Sequence, residues 1–275
     1  MRVIIDGVEV SEADAAVSVF DWGIQRGFGV FEVIRAYGGS TFRLDAHLER
    51  LQRSAGALHI EHPPPGDIAD WARSAAAAGG DCLVRVMVTG GSRDALLPTP
   101  PRTVVLWEPV PEVPDRLRLL PVTAPWHQGG DTRGFPGVKW LSYAPNIASM
   151  DMARRAGFDD AVLVSSDGEV LEGPTYTVAW VSHGRLETPS LELGILASIT
   201  REVLLECAAR LDIPVKQGHF PLERMIGSDE AIGLSTVKQV TPVSRIGEHE
   251  IPDGPVAGKL AGAFAEIVAE EVGSG

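Results

Sequence analysis

The strongest constraint on the fold of this 275-residue chain is a stripe of apolar residues at helical spacing, flanked by two β-rich runs. The stripe consists of Leu44, Leu48, Leu51, Ala55 and Leu58. The flanking runs are Val30–Tyr37 and Cys82–Thr89, and a second helix is predicted over Gly66–Ala78, ending at Gly79-Gly80. This alternation of strands and helices predicts an α+β domain with two helices on one face of an antiparallel sheet.

Turn signals predict further strands in the same domain. Asp6-Gly7 separates two short apolar runs, Val3–Ile5 and Val8–Val10, and is typical of a type I′ hairpin. Additional strands are predicted at Thr41–Arg43 and Thr103–Glu108.

A Pro-dense segment, Pro109–Pro114, is the best candidate for a connector. It predicts a smaller N-terminal α+β domain over residues 1–116 and a larger domain over residues 117–275. The segment Ala124–Gly137 is polar, Gly-rich and without periodicity, which predicts a long interdomain loop of a kind that is often functional. The other predicted elements are strands at Leu117–Val122, Asp160–Val164, Glu169–Leu171, Tyr176–Val181, Ala231–Leu234 and Val240–Ile246, a strand that begins at Val215, and helices at about Tyr143–Ala156, at about Thr200–Leu211 and around Leu260, Phe264, Ile267 and Val268.

Composition excludes several classes of function. The 37 acidic residues outnumber the 24 basic ones, and the formal net charge of −13 disfavours an extended nucleic-acid surface or an anionic membrane as a partner. The two cysteines, Cys82 and Cys207, cannot form a disulfide framework and lack metal-ligand spacing. No apolar run approaches the roughly 20 residues of a spanning helix, and the N-terminus resembles a strand rather than an export signal. We therefore expect a cytoplasmic protein without a metal site.

Lysine is scarce, with four residues among the 24 basic ones, and one of the four is a candidate nucleophile. Lys139 lies between Val138 and Trp140-Leu141 at the end of the predicted long loop. A lysine among apolar neighbours loses hydration, which makes its free amine available for Schiff-base chemistry. The alternative is a lysine whose stem packs on these neighbours while its ammonium reaches water, and local context alone favours this alternative.

Glu172 is a second candidate. It follows the turn Ser166-Asp167-Gly168 and precedes an apolar strand, so a carboxylate buried there would need a partner. A pyridinium N–H is one such partner. The alternative is an exposed glutamate at the end of a strand.

Two further sites are candidates for binding a phosphate. Ser198-Ile199-Thr200 opens a predicted helix, whose free N–H groups and dipole favour anions, although these residues also suit a simple N-cap. Arg50 lies beside the apolar stripe and could bind a phosphate with two hydrogen bonds. Its alternative is a solvated arginine on the helix surface.

Several motifs follow one another in a defined order along the chain. They are Asp21-Trp22-Gly23, Arg26-Gly27-Phe28-Gly29-Val30-Phe31-Glu32, His47-Leu48-Glu49-Arg50-Leu51 with Ser54-Ala55, Val138-Lys139-Trp140-Leu141-Ser142-Tyr143, Asp167-Gly168 with Leu171-Glu172-Gly173, Ile199-Thr200-Arg201, and Ser235-Thr236 with Val240-Thr241-Pro242-Val243. In this order they resemble the class IV (fold type IV) pyridoxal-phosphate-dependent aminotransferase family. The family includes D-amino-acid and branched-chain aminotransferases, (R)-amine transaminases and aminodeoxychorismate lyase.

The resemblance implies a fold and a role for each candidate. The fold would be a two-domain α+β and α/β architecture, in which the larger C-terminal domain is mixed, β-barrel-like and surrounded by helices. Lys139 would hold pyridoxal 5′-phosphate as an internal aldimine and move the substrate proton, Glu172 would keep the pyridine nitrogen protonated, and Tyr143 would bond the phenolic oxygen. The residues implied in phosphate binding are Arg50, Ile199, Thr200 and Thr236.

Three departures from the family pattern bear on the substrate. Arg26 stands where many relatives have a tyrosine, and Ser142 replaces an asparagine common in lyase-like members. Gly90 stands where well-known bacterial D-amino-acid aminotransferases carry an arginine that binds the substrate carboxylate. The residues expected to bind substrate are Arg26, Phe31, Arg93 and Arg133, with one of the arginines as a substitute carboxylate anchor.

We expect a transaminase that moves an amino group from a D-amino acid, or from an (R)-amine, to a 2-oxo acid. Aminodeoxychorismate lyase and a branched-chain aminotransferase are the enzymatic alternatives, and a binding or scaffold protein that keeps the fold is the non-enzymatic one. The resemblance also implies a homodimer in which loops of the partner subunit complete the pocket.

Overall fold

The computed structural model describes residues 3–127 and 137–273, which group into two compact units. Among these residues, the first unit comprises 3–111, 138–143 and 271–273, and the second comprises 112–127, 137 and 144–270. The predicted division into domains 1–116 and 117–275 stays a prediction.

The first unit is built on one antiparallel sheet with the strand order β2-β1-β6-β5-β3-β4. At the turn between β1 and β2, Asp6 and Gly7 have φ angles of 49° and 82°, as the predicted type I′ hairpin requires. The elements are β1 Val3–Ile5, β2 Val8–Val10, α1 Trp22–Arg26, β3 Gly29–Tyr37, β4 Ser40–Thr41, α2 Leu44–Ala57, α3 Pro65–Gly79, β5 Cys82–Thr89 and β6 Thr103–Pro109.

Helices α2 and α3 pack on one face of this sheet and form the core of the first unit with it, which confirms the predicted α+β layer. Four members of the apolar stripe of α2 are buried in this core, and Leu58 is partly buried against it. The sheet contributes alternate residues from its central strands, including Val30, Ile34, Val84 and Val86. Since successive strand residues point to opposite faces, Phe31 projects from the face that the helices leave uncovered.

A short extended segment around Lys139 pairs with the beginning of β3. Of the predicted loop Ala124–Gly137, residues 128–136 lie outside the described residues. The Phe31 N–H donates to the Lys139 carbonyl at 3.0 Å, and the Leu141 N–H donates to the Gly29 carbonyl at 2.8 Å. Trp140 lies opposite Val30 in this antiparallel bridge. Because side chains alternate, Lys139 lies on the same face as Phe31.

The second unit is built on a mixed sheet with the order β11-β10-β9-β12-β13-β7-β8, with β14 beside β13. The pairs β10–β11, β7–β13 and β7–β8 are parallel and the remaining pairs are antiparallel, which confirms a mixed second sheet. The elements are β7 Leu117–Thr123, a 3-10 helix at Pro125–His127, α4 Ala144–Arg155, β8 Asp160–Val164, β9 Thr177–Ser182, β10 Arg185–Pro189, a 3-10 helix at Leu191–Leu193, α5 Ile199–Arg210, β11 Val215–Gly218, α6 Leu222–Ile226, β12 Glu230–Ser235, β13 Gln239–Ile246, β14 His249–Glu250 and α7 Pro255–Val272.

One predicted strand of the second half is wrong. The segment Glu169–Leu171 forms isolated bridges only, because consecutive residues form hydrogen bonds with two different parts of the chain. The Val170 N–H donates to the Phe220 carbonyl, whereas the Leu171 N–H donates to the Leu163 carbonyl, so no continuous ladder forms. The structure also contains elements that the sequence patterns did not predict, namely α1, α6, β10 and β14.

None of the helices in the described part of the chain combines the length and the apolar character needed to cross a bilayer. The same residues contain no group of three or more His, Cys, Asp or Glu side chains that could hold a metal ion.

Gly29→Ala tests the close approach of β3 and the Lys139 segment. A Cβ at Gly29 would lie 2.5 Å from Leu141 Cδ1 and 2.6 Å from the Val88 carbonyl oxygen, and this carbonyl cannot retreat without breaking the sheet. We expect the free energy of unfolding, measured by urea denaturation, to fall by about 1–3 kcal/mol, the usual cost of overpacking. Gly56→Ala in α2 is the control, since its Cβ would meet no described atom within 4 Å and a helical alanine stabilises by up to about 1 kcal/mol. Equal stabilities of Gly29→Ala and wild type would contradict the expectation.

Candidate active site

The amine of Lys139 lies against two aromatic rings in the first unit. Its Nζ is 4.5 Å from the centroid of the Phe31 ring and 5.6 Å from that of Tyr143, and the side chain is half-buried. The two rings meet edge to face with their centroids 5.1 Å apart. The Lys139 N–H donates to Ser54 Oγ near the end of α2 at 3.2 Å, so the backbone of the lysine is fixed from a second side. Lys139, Phe31 and Tyr143, which were predicted separately as site residues, are therefore in contact.

A buried charge cluster occupies the helix-covered face of the same sheet. Arg50 donates from Nε and Nη2 to the two carboxylate oxygens of Glu32, each at 2.7 Å, and His47 Nδ1 lies 2.8 Å from Glu32 Oε2. Burial alone would raise the pKa of Glu32, but Arg50 and His47 lower it from 4.5 to about 2. Burial lowers the pKa of His47 below 6.5, so its imidazole is neutral near pH 7 and donates its Nδ1–H to the ionised carboxylate.

Arg50 is not the solvated helix arginine of the alternative interpretation, because it is only 5% exposed. The fork to Glu32 uses two of the five N–H donors of its guanidinium, and its role as a phosphate ligand stays a prediction. The cluster as a whole was missed by sequence reasoning. Two signals could have found it: Glu32 has the same strand parity as buried Val30, and His47 lies three residues before Arg50 on the apolar side of α2.

Glu172 is buried in the second unit, which overturns the alternative of an exposed strand-end glutamate. Its Oε1 accepts hydrogen bonds from His127 Nε2 at 2.6 Å and from the Leu196 N–H at 3.2 Å. No described residue donates to its Oε2. The backbone of Glu172 is fixed by the Leu163 N–H, which donates to the Glu172 carbonyl at 2.8 Å. His127 was not among the predicted site residues.

The bonding of Glu172 differs from that of the other buried carboxylates in the described residues. In the others, each of the two oxygens accepts a hydrogen bond or an ion pair from a described group; they are Asp21, Glu32, Asp160, Glu187 and Glu230. In Glu172 both bonds fall on one oxygen. A pyridinium N–H is a donor that would suit the remaining oxygen, so this residue fits the cofactor that the sequence motifs imply.

The N-terminus of α5 carries two further predicted residues. Ser198 is the N-cap, since its Oγ accepts from the Arg201 N–H at 3.2 Å and its carbonyl accepts from the Glu202 N–H at 3.1 Å. The N–H groups of Ile199 and Thr200 have no acceptor among the described residues, and both residues are buried. Capping and anion binding are therefore compatible here, because the cap leaves the first two N–H groups to a ligand.

Thr236 lies in the turn between β12 and β13. Ser235 Oγ accepts from the Val237 and Lys238 N–H groups and orders this turn, while the half-buried hydroxyl of Thr236 bonds to no described residue. The Leu196 N–H links Glu172 to the segment before α5 by a hydrogen bond, whereas Thr236 forms no hydrogen bond with either of them among the described residues. The structure thus joins two of these three predicted features within the second unit.

The arginines predicted to bind substrate differ in their contacts. Arg93 donates from Nη2 to the His59 carbonyl at 2.5 Å and lies 5.8 Å from the centroid of the Phe28 ring. Arg26 is exposed at the end of α1, and its guanidinium bonds to no described residue. Arg133 lies outside the described residues. Of the two described arginines, Arg26 is therefore the one whose donors are not already used.

Phe28 leaves no room for an arginine side chain at position 90, where this chain has a glycine. A Cβ there would overlap the Phe28 ring and would lie 3.0 Å from the Phe28 carbonyl oxygen. The Gly90 N–H also donates to that carbonyl at 2.8 Å, which holds the two backbones together. A side chain at residue 90 would have to displace the ring.

Comparisons with known proteins agree with the order of these motifs. The family model for amino-transferase class IV matches residues 29–246. A D-alanine aminotransferase of Listeria innocua is 29% identical, over 99% of this chain and 98% of its own length, and an aminodeoxychorismate lyase of Bacillus subtilis is 28% identical, over 98% and 94%. The crystal structure of a branched-chain aminotransferase from Thermoproteus uzoniensis with norvaline is 29% identical, with a TM-score of 0.89, and covers 98% of this chain and 95% of that one. These three proteins carry three different activities, so likeness alone does not choose a substrate.

Glu32→Gln tests the buried charge cluster. The substitution keeps the shape but leaves Arg50 buried without its counter-charge, and we expect the free energy of unfolding at pH 7 to fall by about 3–5 kcal/mol. Because folding lowers the pKa of Glu32 from 4.5 to about 2, the ionised carboxylate stabilises the wild type above pH 4.5, and this contribution is lost as the pH falls towards 2. Urea unfolding at stepped pH should show a steeper decline in this window for wild type than for the variant.

Glu108→Gln is the matched control for this experiment. Glu108 accepts a similar fork from Arg85, at 2.9 and 2.8 Å, but both side chains are about one-third exposed. Exposed pairs contribute about 0–1 kcal/mol, so we expect little change. Equal losses for the two variants would show that burial of the Glu32 cluster is not what stabilises the first unit.

Proposed function

The chain belongs to the class IV aminotransferases, enzymes that depend on pyridoxal 5′-phosphate, and on that premise we propose that it moves an amino group from a D-amino acid to a 2-oxo acid such as pyruvate or 2-oxoglutarate. (R)-amines are a second class of donor under the same proposal. The observation that carries it is the pairing of the Lys139 segment with β3. This pairing sets the Lys139 amine against Phe31 and brings Ser142 Oγ to the Gly27 carbonyl, 2.9 Å away, next to Arg26.

Each residue of the proposed site has a definite task. When bound, the cofactor supplies an electron sink for the substrate carbon that loses its proton. Lys139 Nζ would hold the cofactor and, as a free amine, would take up the proton that the substrate Cα loses. Glu172 Oε2 would accept the pyridine N–H, and Tyr143 would donate to the phenolic oxygen. The proposed phosphate ligands are Arg50, the N–H groups of Ile199 and Thr200, and the hydroxyl of Thr236.

Arg26 is the proposed anchor for the substrate carboxylate. A guanidinium holds a carboxylate with two parallel hydrogen bonds, and such bonds are shorter and stronger than neutral ones. Arg93 already bonds to the His59 carbonyl, which makes it the weaker candidate, and Arg133 remains an alternative from the sequence. A carboxylate anchor favours amino acids over simple amines as the main donors.

Arg26 also counts against a branched-chain substrate, because it stands where many relatives have a tyrosine and so makes the lining of the proposed site less apolar. The lyase is the second candidate, supported by the Bacillus subtilis relative that matches almost the whole chain. It would use the same lysine and the same carboxylate, with elimination of pyruvate in place of amino transfer.

We also propose that the enzyme is a homodimer that acts in the cytoplasm. Support comes from large apolar side chains that each unit leaves exposed. In the first unit these are Val19, Phe20 and Ile24, on or beside α1, and in the second they include Ile147 and Met152 on α4. Contiguous exposed apolar groups are typical of an interface between subunits.

An amino-donor panel separates the candidate functions. Enzyme loaded with cofactor is mixed with D-alanine, L-alanine, L-leucine or (R)-1-phenylethylamine, without an acceptor, and the cofactor absorbance is followed. We expect D-alanine to replace the absorption of the lysine-bound form with that of the amine form. Lys139→Ala should abolish this change because no other amine can take its place, whereas Lys216→Ala, in the exposed strand β11, should keep it.

A separate assay and the other outcomes of the panel test the alternatives. In the assay, release of 4-aminobenzoate from aminodeoxychorismate without a second substrate would favour the lyase. Conversion by L-leucine but not by D-alanine would favour a branched-chain enzyme. Absence of conversion by every donor would overturn the proposed transaminase.

Arg26→Leu tests the carboxylate anchor. Loss of a charge-assisted interaction of about 1.5–3 kcal/mol should raise the KM for D-alanine about tenfold to hundredfold. The KM for (R)-1-phenylethylamine, which has no carboxylate, should stay unchanged. Arg53→Leu is the control, because Arg53 is an exposed arginine on α2 that is paired only loosely with Glu49. Equal effects of Arg26→Leu on both donors would contradict the assignment.

A further inference from the structure

We propose that His127 is a positioning residue for Glu172: it holds one carboxylate oxygen so that the other is presented to the pyridine nitrogen of the cofactor. The inference rests on the proposed function, because it concerns how Glu172 receives the cofactor ring. His127 is the last residue of the 3-10 helix Pro125–His127, and the sequence motifs assign it no role.

The contact between the two side chains is short and sheltered. His127 Nε2 lies 2.6 Å from Glu172 Oε1, with the side chains 15% and 9% exposed. A carboxylate can only accept, so the imidazole carries its proton on Nε2. With the Leu196 N–H on the same oxygen, Oε1 has two donors while Oε2 has none from the described residues. The carboxylate is thus held by one edge.

The backbones of both residues are fixed to β8. The Ala124 N–H donates to the Val164 carbonyl at 2.8 Å, and the His127 N–H donates to the Ala124 carbonyl at 2.9 Å. One residue earlier in β8, the Leu163 N–H donates to the Glu172 carbonyl at 2.8 Å. The separation of the imidazole and the carboxylate is therefore set by a buried strand, and a site held by rigid elements is more exact than one held by loops.

A second tie runs through α4. Trp126 Nε1 donates to Asn146 Oδ1 at 3.4 Å, and Asn146 Nδ2 donates to the Pro174 carbonyl at 2.8 Å. Pro174 follows Glu172 by two residues. Asn146 thus joins the 3-10 helix that carries His127 to the segment that carries Glu172.

The contact with His127 determines how the carboxylate of Glu172 is oriented. Without the imidazole, the buried carboxylate would keep a single backbone donor, and it would turn towards other donors to recover the lost hydrogen bond. Such a turn would weaken its bond to a pyridinium N–H, because that bond needs a correctly directed acceptor. The other buried carboxylates have a described partner on each oxygen. Glu172 has partners on Oε1 alone, and this difference points to a ligand as the partner of Oε2.

The test compares the cofactor with an analogue that differs only in the ring nitrogen. Dissociation constants are measured on the apoprotein for pyridoxal 5′-phosphate and for 1-deazapyridoxal 5′-phosphate, which has a carbon in place of that nitrogen. We expect His127→Phe to raise the constant for the cofactor about tenfold, the order found for residues that orient a ligand-binding side chain, and to leave that for the analogue unchanged. His127→Gln, whose amide N–H can replace Nε2–H, should restore most of the loss.

His219→Phe is the matched control, because His219 forms a more exposed pair with Glu169, at 3.2 Å, elsewhere in the same unit. It should change neither constant. If His127→Phe is unfolded by circular dichroism, His127→Ala is used with the same expectation.

The outcomes distinguish this inference from the proposed function. Equal weakening of both ligands by the His127 variant would show a merely structural role and overturn the inference, and so would an unchanged preference for the cofactor over its analogue. In both cases the wild type still binds the cofactor, so the proposed function stands. A wild type that fails to bind the cofactor would overturn the proposed function and this inference with it.

Discussion

Two backbone hydrogen bonds position the lysine on which the proposed function depends. They join Phe31 to Lys139 and Leu141 to Gly29, and so attach the segment around Lys139 to the edge of the first sheet. Their register sets which face each side chain occupies, since a slip of one residue would exchange Lys139 with Trp140 and turn the amine towards the helices. The absence of a side chain at Gly29 permits the close approach of the two backbones. The amine of Lys139, which is the proposed catalytic group, is thus positioned by a sheet.

The buried carboxylates of the described residues have a described partner on each oxygen, and Glu172 is the exception. Glu32 and Glu187 lie in different units, and each has both oxygens engaged by arginine and by a further donor. Such groups are stable because their partners replace the lost hydration. Glu172 is buried to a similar degree with one oxygen engaged. In the proposed function, the pyridine N–H of the cofactor supplies the donor that Glu172 Oε2 lacks among the described residues.

Sequence patterns predicted the elements whose signals are local. The hairpin at Asp6-Gly7 and the helix α2 depend on turn chemistry and on a stripe within one helix, and both are confirmed. Strand β10 was missed because it buries Glu187, whose main partner Arg224 comes from a later helix. A short run that contains a charged residue does not predict a buried strand when the opposite charge that pairs with it lies far away in the sequence.

Local sequence context also limited what could be predicted of the site. Lys139 and Glu172 were candidates from their neighbours along the chain, but local context alone favoured an ordinary lysine and an exposed glutamate, and the resemblance to the family implied their roles. His127 could not, because its significance arises from one contact with a residue 45 positions later. Pairs that are distant in sequence become visible only when the backbone that holds both is known, and here that backbone is β8.

In the proposed function, substrate choice depends on α1, a helix too short to show any periodicity. The Phe28 ring fills the space beside Gly90 and packs edge to face on Trp22, with centroids 6.2 Å apart, and the proposed carboxylate anchor therefore comes from another element. Helix α1 is well placed to supply it, because its N-cap Asp21 is bonded through both oxygens, to the Gly23 N–H and to the hydroxyl of Thr89. A five-residue helix fixed in this way presents its last side chain from a rigid support. Through the bond between Asp21 and Thr89, the proposed anchor is tied to the same sheet that holds the lysine.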